Sequence, residues 1–180
     1  MDLTERRISG ETVFEGRIFT VERDVIEQNG RLAEREVVRH PGGVAVLALD
    51  GSGRVVMVRQ FRYAAGRVLL EIPAGRLERG EDPLAAGERE LSEETGYSAS
   101  RVVPFGKFIP TGGYDSEVIH LCLAEGLTPG DTHPDDGEIV CPELIPLEKA
   151  LKMALDGEIE DGKTIVALMK YALLRGRGNG

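Results

Sequence analysis

The hydrophobic and polar positions of this chain change rhythm along its length. Short apolar runs with β character come first: Val13–Phe19 and Val21–Ile26, then Arg35–His40 after an Asn29-Gly30 hairpin signal. Together they predict a small antiparallel β unit over residues 1–40. So few strands need a partner surface. Continuous apolar runs follow in residues 41–180. Gly43–Leu49 and Arg54–Arg62 read as strands joined by a turn at Asp50–Gly53, and Val68–Gly75 leads into the loop before the first helix. Val102–Phe108 and Glu117–Ala124 read as two more strands around a glycine-rich loop. The period shifts to that of a helix over Leu84–Thr95, Leu147–Leu155 and Lys163–Leu174, where Leu151, Leu155, Ile165, Leu168 and Met169 are the expected core positions. Strands interleaved with helices point to an α/β (α+β) fold.

The first of these helices carries the candidate chemistry. Asp82 is a good N-cap, Pro83 suits the first helical position, and Gly96 is placed to end the helix in a left-handed conformation. At about 100° per residue, Glu90, Glu93 and Glu94 fall on one stripe. Ala86 and Gly87 lie a turn earlier on that stripe and leave room around the carboxylates. Leu84 and Leu91 point toward a sheet. Arg89 stands four residues before Glu93 and can hold it. Three neighbouring carboxylates repel one another and raise each other's pKa. A divalent cation resolves the conflict, and hard oxygen ligands suit Mg²⁺, with Mn²⁺ as a substitute. The competing reading of such a run is a solvated acidic face; the preceding loop glycine, Glu81 and the capped helix favour the metal.

Composition narrows the class. The chain has 180 residues, 41% hydrophobic and 29% charged, enough for a sizeable core. A net charge of −9 argues against a general nucleic-acid partner. Cys122 and Cys141 lack metal-site spacing and read as reduced and structural. There is no membrane-spanning run and no signal-peptide pattern, so a cytoplasmic location is expected.

Residues 75–97 resemble the Nudix box. Gly75, Glu81, Arg89-Glu90, Glu93-Glu94 and Gly96 fill the pattern G-x5-E-x7-R-E-U-x-E-E-x-G-U, with Leu91 and Tyr97 at the apolar positions U. The resemblance implies a Nudix fold, a mixed β-sheet sandwiched between helices, and hydrolysis of a nucleoside diphosphate linked to another moiety. Val58–Glu78, with its E-I-P-A-G stretch, is similar to the ADP-ribose pyrophosphatase branch and its nucleotide-sugar relatives. By that likeness the Ala74 carbonyl joins Glu90, Glu93 and Glu94 as a metal ligand. Arg62 reaches substrate phosphate through its fork of donors, and Glu71 contacts the nucleoside end. The alternative is that Arg62 is a strand-end charge and Glu71 is paired within the protein.

The branch also implies a proline-glycine loop followed by an acidic residue after the box. Aligning Gly113 and Glu117 on that pattern puts Gly112 where proline is expected. A glycine-rich loop here also resembles GDP-mannose-type pyrophosphatases. In this branch a glutamate from a loop in the C-terminal third often acts as general base. Thr128–Glu138 is acidic, Gly/Pro-rich and long enough for a lid. Glu138 is the best candidate there, with Asp135 and Asp136 as competitors. His40, His120 and His133 read as incidental.

The expected reaction is therefore Mg²⁺-dependent hydrolysis of ADP-ribose to AMP and ribose 5-phosphate. The alternatives are another nucleotide-sugar substrate, a nucleoside-triphosphate sanitiser, or a non-catalytic ADP-ribose-binding regulator. Phe14, Ile18, Phe19, Val21, Val25 and Ile26 supply much apolar surface to a small sheet, which predicts a homodimer. By the resemblance, Arg35 or Arg39 would then approach the partner's bound nucleotide.

Overall fold

A computed structural model describes residues 2–133, 137 and 139–177, and the chain folds as two compact units. The first comprises the residues up to Gly42 together with Phe108–Val118. It holds a three-stranded antiparallel sheet of β1 (Arg6–Glu15), β2 (Thr20–Gln28) and β3 (Arg31–Arg39). Asn29 and Gly30 join β2 to β3 with φ of 51° and 79°, the left-handed pair that matches the twist of a hairpin. The predicted run Val13–Phe19 is not one strand. β1 ends at Glu15, and the Gly16 amide closes a turn on the Phe19 carbonyl at 3.0 Å. All ten residues of β1 are exposed, so Arg6–Thr12 carries no burial pattern to mark it in sequence. The apolar residues divide between faces. Phe14, Ile18 and Phe19 are exposed, whereas Ile26 is buried and Val21 and Val25 are half-buried.

A buried charge organises this sheet. Asp24 is only 3% exposed and accepts from Arg7 Nε at 2.7 Å and Arg39 Nη2 at 3.1 Å. Gly10 makes room for it, because a Cβ there would lie 2.0 Å from Asp24 Oδ1. The Phe108–Val118 segment docks on β3 through its backbone. The Val38 amide donates to the Tyr114 carbonyl at 2.8 Å, and the Ser116 amide to the Val38 carbonyl at 3.0 Å.

The second unit comprises Gly43–Lys107 and the chain from Ile119 onward. Its strands are β4 (Gly43–Ala48), β5 (Arg54–Arg62), β6 (Arg67–Glu71), β7 (Ala74–Arg76), β8 (Ser98–Phe108), β9 (Ile119–Thr128) and β10 (Val140–Pro146); its helices are α1 (Pro83–Thr95), α2 (Leu147–Leu155) and α3 (Gly162–Arg177). One sheet runs β7-β4-β9-β8, with β4 parallel to β9 and antiparallel to β7; a second runs β10-β5-β6. The mixed sheet explains why β4 is buried along its whole length.

Val68–Gly75 changes sheets midway. β6 pairs with β5 up to Glu71, and from Ala74 the chain pairs with β4 as β7. Pro73 stands at the switch, where it lacks an amide for a ladder but its carbonyl accepts from Val46 N at 2.8 Å. β10 was not evident from sequence, because Pro142 and Pro146 interrupt it.

α1 lies on the four-stranded sheet. Leu91 is 1% exposed and joins Val44, Val46, Val56, Ala86, Cys122 and Ala124 in one apolar cluster. Ala86 and Gly87 are small for this packing and not to clear the carboxylates. Ala86 is fully buried, and a Cβ on Gly87 would lie 3.1 Å from Cys122 Sγ and 3.3 Å from Val46 Cγ2. In α2 and α3, Leu168 is fully buried as expected, while Leu151, Ile165 and Met169 are half-buried. Leu155 is a correction: it closes α2 and is 75% exposed. Both cysteines are unpaired; Cys122 is buried, and Cys141 is exposed and so is no core residue. Burial, together with the charges of Asp82 and Glu88, pushes the Cys122 thiol up to about 11. Among the described residues no helix is long and apolar enough to cross a membrane.

Candidate active site

The capped helix forms as its sequence demands. Asp82 accepts from the amides of Leu84 and Ala85 at 2.9 and 3.2 Å, and Gly96 ends the helix at φ 73° with its amide on the Ser92 carbonyl. This fixes the rotation of α1 and hence the direction of its acidic stripe.

Arg89 gathers the acids of that stripe. Its Nη1 donates to Glu90 Oε1 at 2.8 Å and to Glu93 Oε2 at 3.0 Å. Its Nε and Nη2 reach Glu81 at 2.9 and 3.1 Å. The bonds to Glu81, then the nearby Glu90 and Glu93, raise the guanidinium pKa above its already high value. The same bonds from Arg89, with one from the Glu78 amide, hold Glu81 below the usual carboxylate range. Glu81 is thus the fixed end of a clamp on Arg89.

Strand β7 lies against the same face. Ala74 N donates to Glu94 Oε2 at 3.1 Å, and Glu94 is 2% exposed. A Cβ on Gly75 would sit 1.9–2.3 Å from the Glu90 carboxylate atoms. A side chain here would push the Glu90 carboxylate aside, because β7 approaches α1 so closely.

The donor set fits a hard divalent cation. Glu90, Glu93 and Glu94 offer carboxylate oxygens from one helix face, with Ala74 beside them, and oxygen donors suit such a cation. Among the described residues no three acidic, histidine or cysteine side chains converge as a finished metal cage. Arg89, bridging Glu90 and Glu93, is what holds two of these carboxylates together.

A second cluster surrounds Glu71, which is 1% exposed. Arg62 meets it as a fork, Nε to Oε1 and Nη2 to Oε2, both at 2.8 Å. Lys163 Nζ also bonds Glu71 Oε2 and reaches Asp161 Oδ1 at 2.9 Å. Burial works to raise the Glu71 pKa, but bonds and charge from Arg62 and Lys163 outweigh it and bring it below normal. Arg62 is raised chiefly by its bonds to Glu71, with Glu94 and Asp161 adding their fields. The structure therefore brings Arg62 and Glu71 together as a pair. Lys163, Asp161 and Thr164 escaped the sequence reading, although Asp161 ahead of an apolar helix is a legible N-cap signal.

Four further candidates, Arg35, Arg39, Gly113 and Glu117, lie in the first unit. Arg35 is paired with Glu5, and Arg39 with Glu22 at 2.9 Å and with Asp24. The Glu117 amide donates to Asp115 Oδ1 at 2.9 Å, and the Glu117 carboxylate faces His40 Nδ1 at 3.3 Å. Gly113 sits in open space. Glu138, Asp135 and Asp136 lie outside the described residues. The beginning of their loop is anchored on α1, where His133 N donates to the Glu93 carbonyl at 2.9 Å.

A mixed sheet carrying a capped helix with this acidic stripe defines a diphosphate hydrolase of the Nudix class. The chain belongs to the Nudix family, whose domain model matches residues 39–168. Hydrolases of this family generally use divalent metal ions. Among its relatives, the ADP-ribose pyrophosphatase of Bacillus subtilis is 40% identical over 95% of this chain and 94% of its own length. The methanol dehydrogenase activator of Bacillus methanolicus is 39% identical over 94% and 93%. The GDP-mannose pyrophosphatase of Salmonella arizonae is 32% identical over 81% and 82%. A solved structure described as an ADP compounds hydrolase shares the fold with a TM-score of 0.83 at 24% identity, covering 98% of this chain and 97% of that one.

Proposed function

We propose that the chain hydrolyses the diphosphate link of ADP-ribose to AMP and ribose 5-phosphate, with Mg²⁺ as its metal and Mn²⁺ as a substitute. The observation that carries this reading is the acidic face of α1, where Glu90, Glu93 and Glu94 stand beside Ala74 and the side-chain-free Gly75. The 40% identity to an ADP-ribose pyrophosphatase supports this choice of substrate.

Glu90, Glu93, Glu94 and the Ala74 carbonyl would hold the cation. Bound there, it supplies charge neutralisation at the diphosphate and a lowered pKa for water. Arg89 keeps Glu90 and Glu93 together. Arg62 binds phosphate: its Nε and Nη2 are engaged with Glu71, and Nη1 is the nitrogen outside that fork. Glu71 holds Arg62 through that fork and would contact the nucleoside end of the substrate. Glu138 accepts the proton from the attacking water, with Asp135 or Asp136 as the competing base. Gly113 and Glu117 contribute to substrate binding.

GDP-mannose is the second reading. It rests on Gly112 standing where ADP-ribose pyrophosphatases carry proline, and on the 32% identity to a GDP-mannose pyrophosphatase. Comparing kcat/KM for ADP-ribose, GDP-mannose, dinucleoside polyphosphates and nucleoside triphosphates tests the assignment. ADP-ribose should lead, and a clear preference for GDP-mannose would replace it.

The active form is a homodimer built through residues 1–40, with Arg35 or Arg39 approaching the partner's nucleotide. Exposed Ile8, Val13, Phe14, Ile18 and Phe19 support this. Light scattering should give twice the 19.6 kDa of one chain. Its unpaired cysteines suit the cytoplasm.

A further inference from the structure

The start of α3 is joined to the strand that carries Glu71. Asp161 caps this helix: its Oδ2 accepts from Thr164 N at 2.9 Å and from Thr164 Oγ1 at 2.5 Å. Thr164 is fully buried, and its hydroxyl oxygen in turn accepts from Ile72 N at 2.9 Å. That one bond spans 92 residues of sequence and anchors the strand exit leading to Ala74 and Gly75. Lys163 then places its ammonium between Glu71 and Asp161, with only 12% of its side chain exposed.

Charge decides what this lysine is for. Without it, Glu71 and Asp161 would face Arg62 alone, leaving the cluster one negative charge in excess. With it the four charges balance, so the cluster carries no excess negative charge to oppose an anion at Arg62. Thr164 already supplies the mechanical link, so Lys163 is not needed to tie the elements together.

Resting on the reading that Arg62 binds the substrate diphosphate, we propose that Lys163 is a positioning residue for that reaction: it neutralises Glu71 from behind and so presents the Arg62 guanidinium to phosphate. Lys163 touches no substrate in this arrangement. It acts through Glu71, and its removal weakens diphosphate binding more than turnover.

The test uses the full chain as wild type, Lys163→Met, Lys163→Gln, Lys163→Arg and Thr164→Val. Steady-state kinetics with ADP-ribose and Mg²⁺ are paired with calorimetric binding of inorganic pyrophosphate under the same conditions. Lys163→Met and Lys163→Gln should raise KM and the pyrophosphate Kd about tenfold, the scale of one partly buried charge, with kcat changed far less. Lys163→Arg should restore most of both. Thr164→Val should lower Tm while leaving KM near parental. If Lys163→Met fails to fold, Lys163→Gln carries the test, since its amide can still bond Glu71 and Asp161.

Parental KM and pyrophosphate Kd in a folded Lys163→Gln variant would overturn the proposal. So would losses that Lys163→Arg does not recover. Should the wild type turn over no ADP-ribose yet bind pyrophosphate in a Lys163-dependent way, the substrate assignment fails and the role of Lys163 stands.

Discussion

Replacing Gly75 with alanine separates catalysis from folding. The added Cβ would lie 1.9 Å from Glu90 Oε1, 2.0 Å from its carboxyl carbon and 2.3 Å from Oε2. Ordinary contact begins near 3.4 Å, so the carboxylate must retreat by 3.4 − 1.9 = 1.5 Å. The obstacle is the far end of a flexible side chain, and Gly75 has no left-handed φ, so the backbone tolerates alanine. The loss of unfolded-state freedom stabilises the variant by about 0.4–1 kcal/mol, which offsets much of the local strain. Tm should therefore move by only a few degrees. Catalysis cannot absorb the same shift: a misplacement of about 1 Å costs on the order of 10²-fold. The assay is kcat for ADP-ribose over a Mg²⁺ titration, with thermal denaturation alongside. A folded Gly75→Ala variant within about threefold of parental kcat at every Mg²⁺ level would refute the claim that the position of Glu90 governs the reaction.

Glu94→Gln should keep the fold and lose on the order of 10²-fold or more in turnover, because a metal-binding carboxylate becomes neutral; parental rates under limiting Mg²⁺ would remove Glu94 from the ligand set. Glu138→Gln should depress kcat far more than KM, and a crippled Asp135→Asn or Asp136→Asn beside a mild Glu138→Gln would move the base by a few residues. Gly87→Val forces methyls into the Cys122 and Val46 contacts and should destabilise by about 2 kcal/mol in urea denaturation; unchanged stability would mean α1 can lift off the sheet at little cost. Burial tends to raise the Asp50 pKa, but the Arg54 amide and the Ser52 and Arg54 side chains outweigh it and bring it to about 2 from an ordinary 3.8. Because the folded value is the lower one, Asp50 stabilises above pH 3.8 and loses that contribution as pH falls toward 2. The stability gap between wild type and Asp50→Asn should accordingly close over that window, and a gap independent of pH would contradict the assignment.

Local chemistry made the central helix legible. The Asp82 cap, Pro83, the Gly96 stop and the spacing of Glu90, Glu93 and Glu94 are written within a few residues of one another, and the structure realises each contact of the caps and the Arg89–Glu93 pair. What sequence did not show depends on partners far along the chain. β1 is an exposed strand whose residues never alternate in burial, and β10 is punctuated by prolines. The break at Pro73 becomes a change of sheet only because β4 is there to receive Ala74. The smallness of Gly87 answers to Cys122 and Val46, on strands remote in sequence, so helical periodicity alone assigned it the wrong purpose. Likewise Lys163 meets Glu71 across 92 residues, a pairing that no local pattern announces.

Product identification tests the central claim most directly. The full chain is incubated with ADP-ribose and Mg²⁺, in parallel with a chelator-treated sample, and the nucleotides and sugar phosphates are resolved by chromatography. The account predicts AMP and ribose 5-phosphate in equal amounts with Mg²⁺ and neither with chelator. Intact ADP-ribose in both samples, or equal cleavage in both, would contradict it.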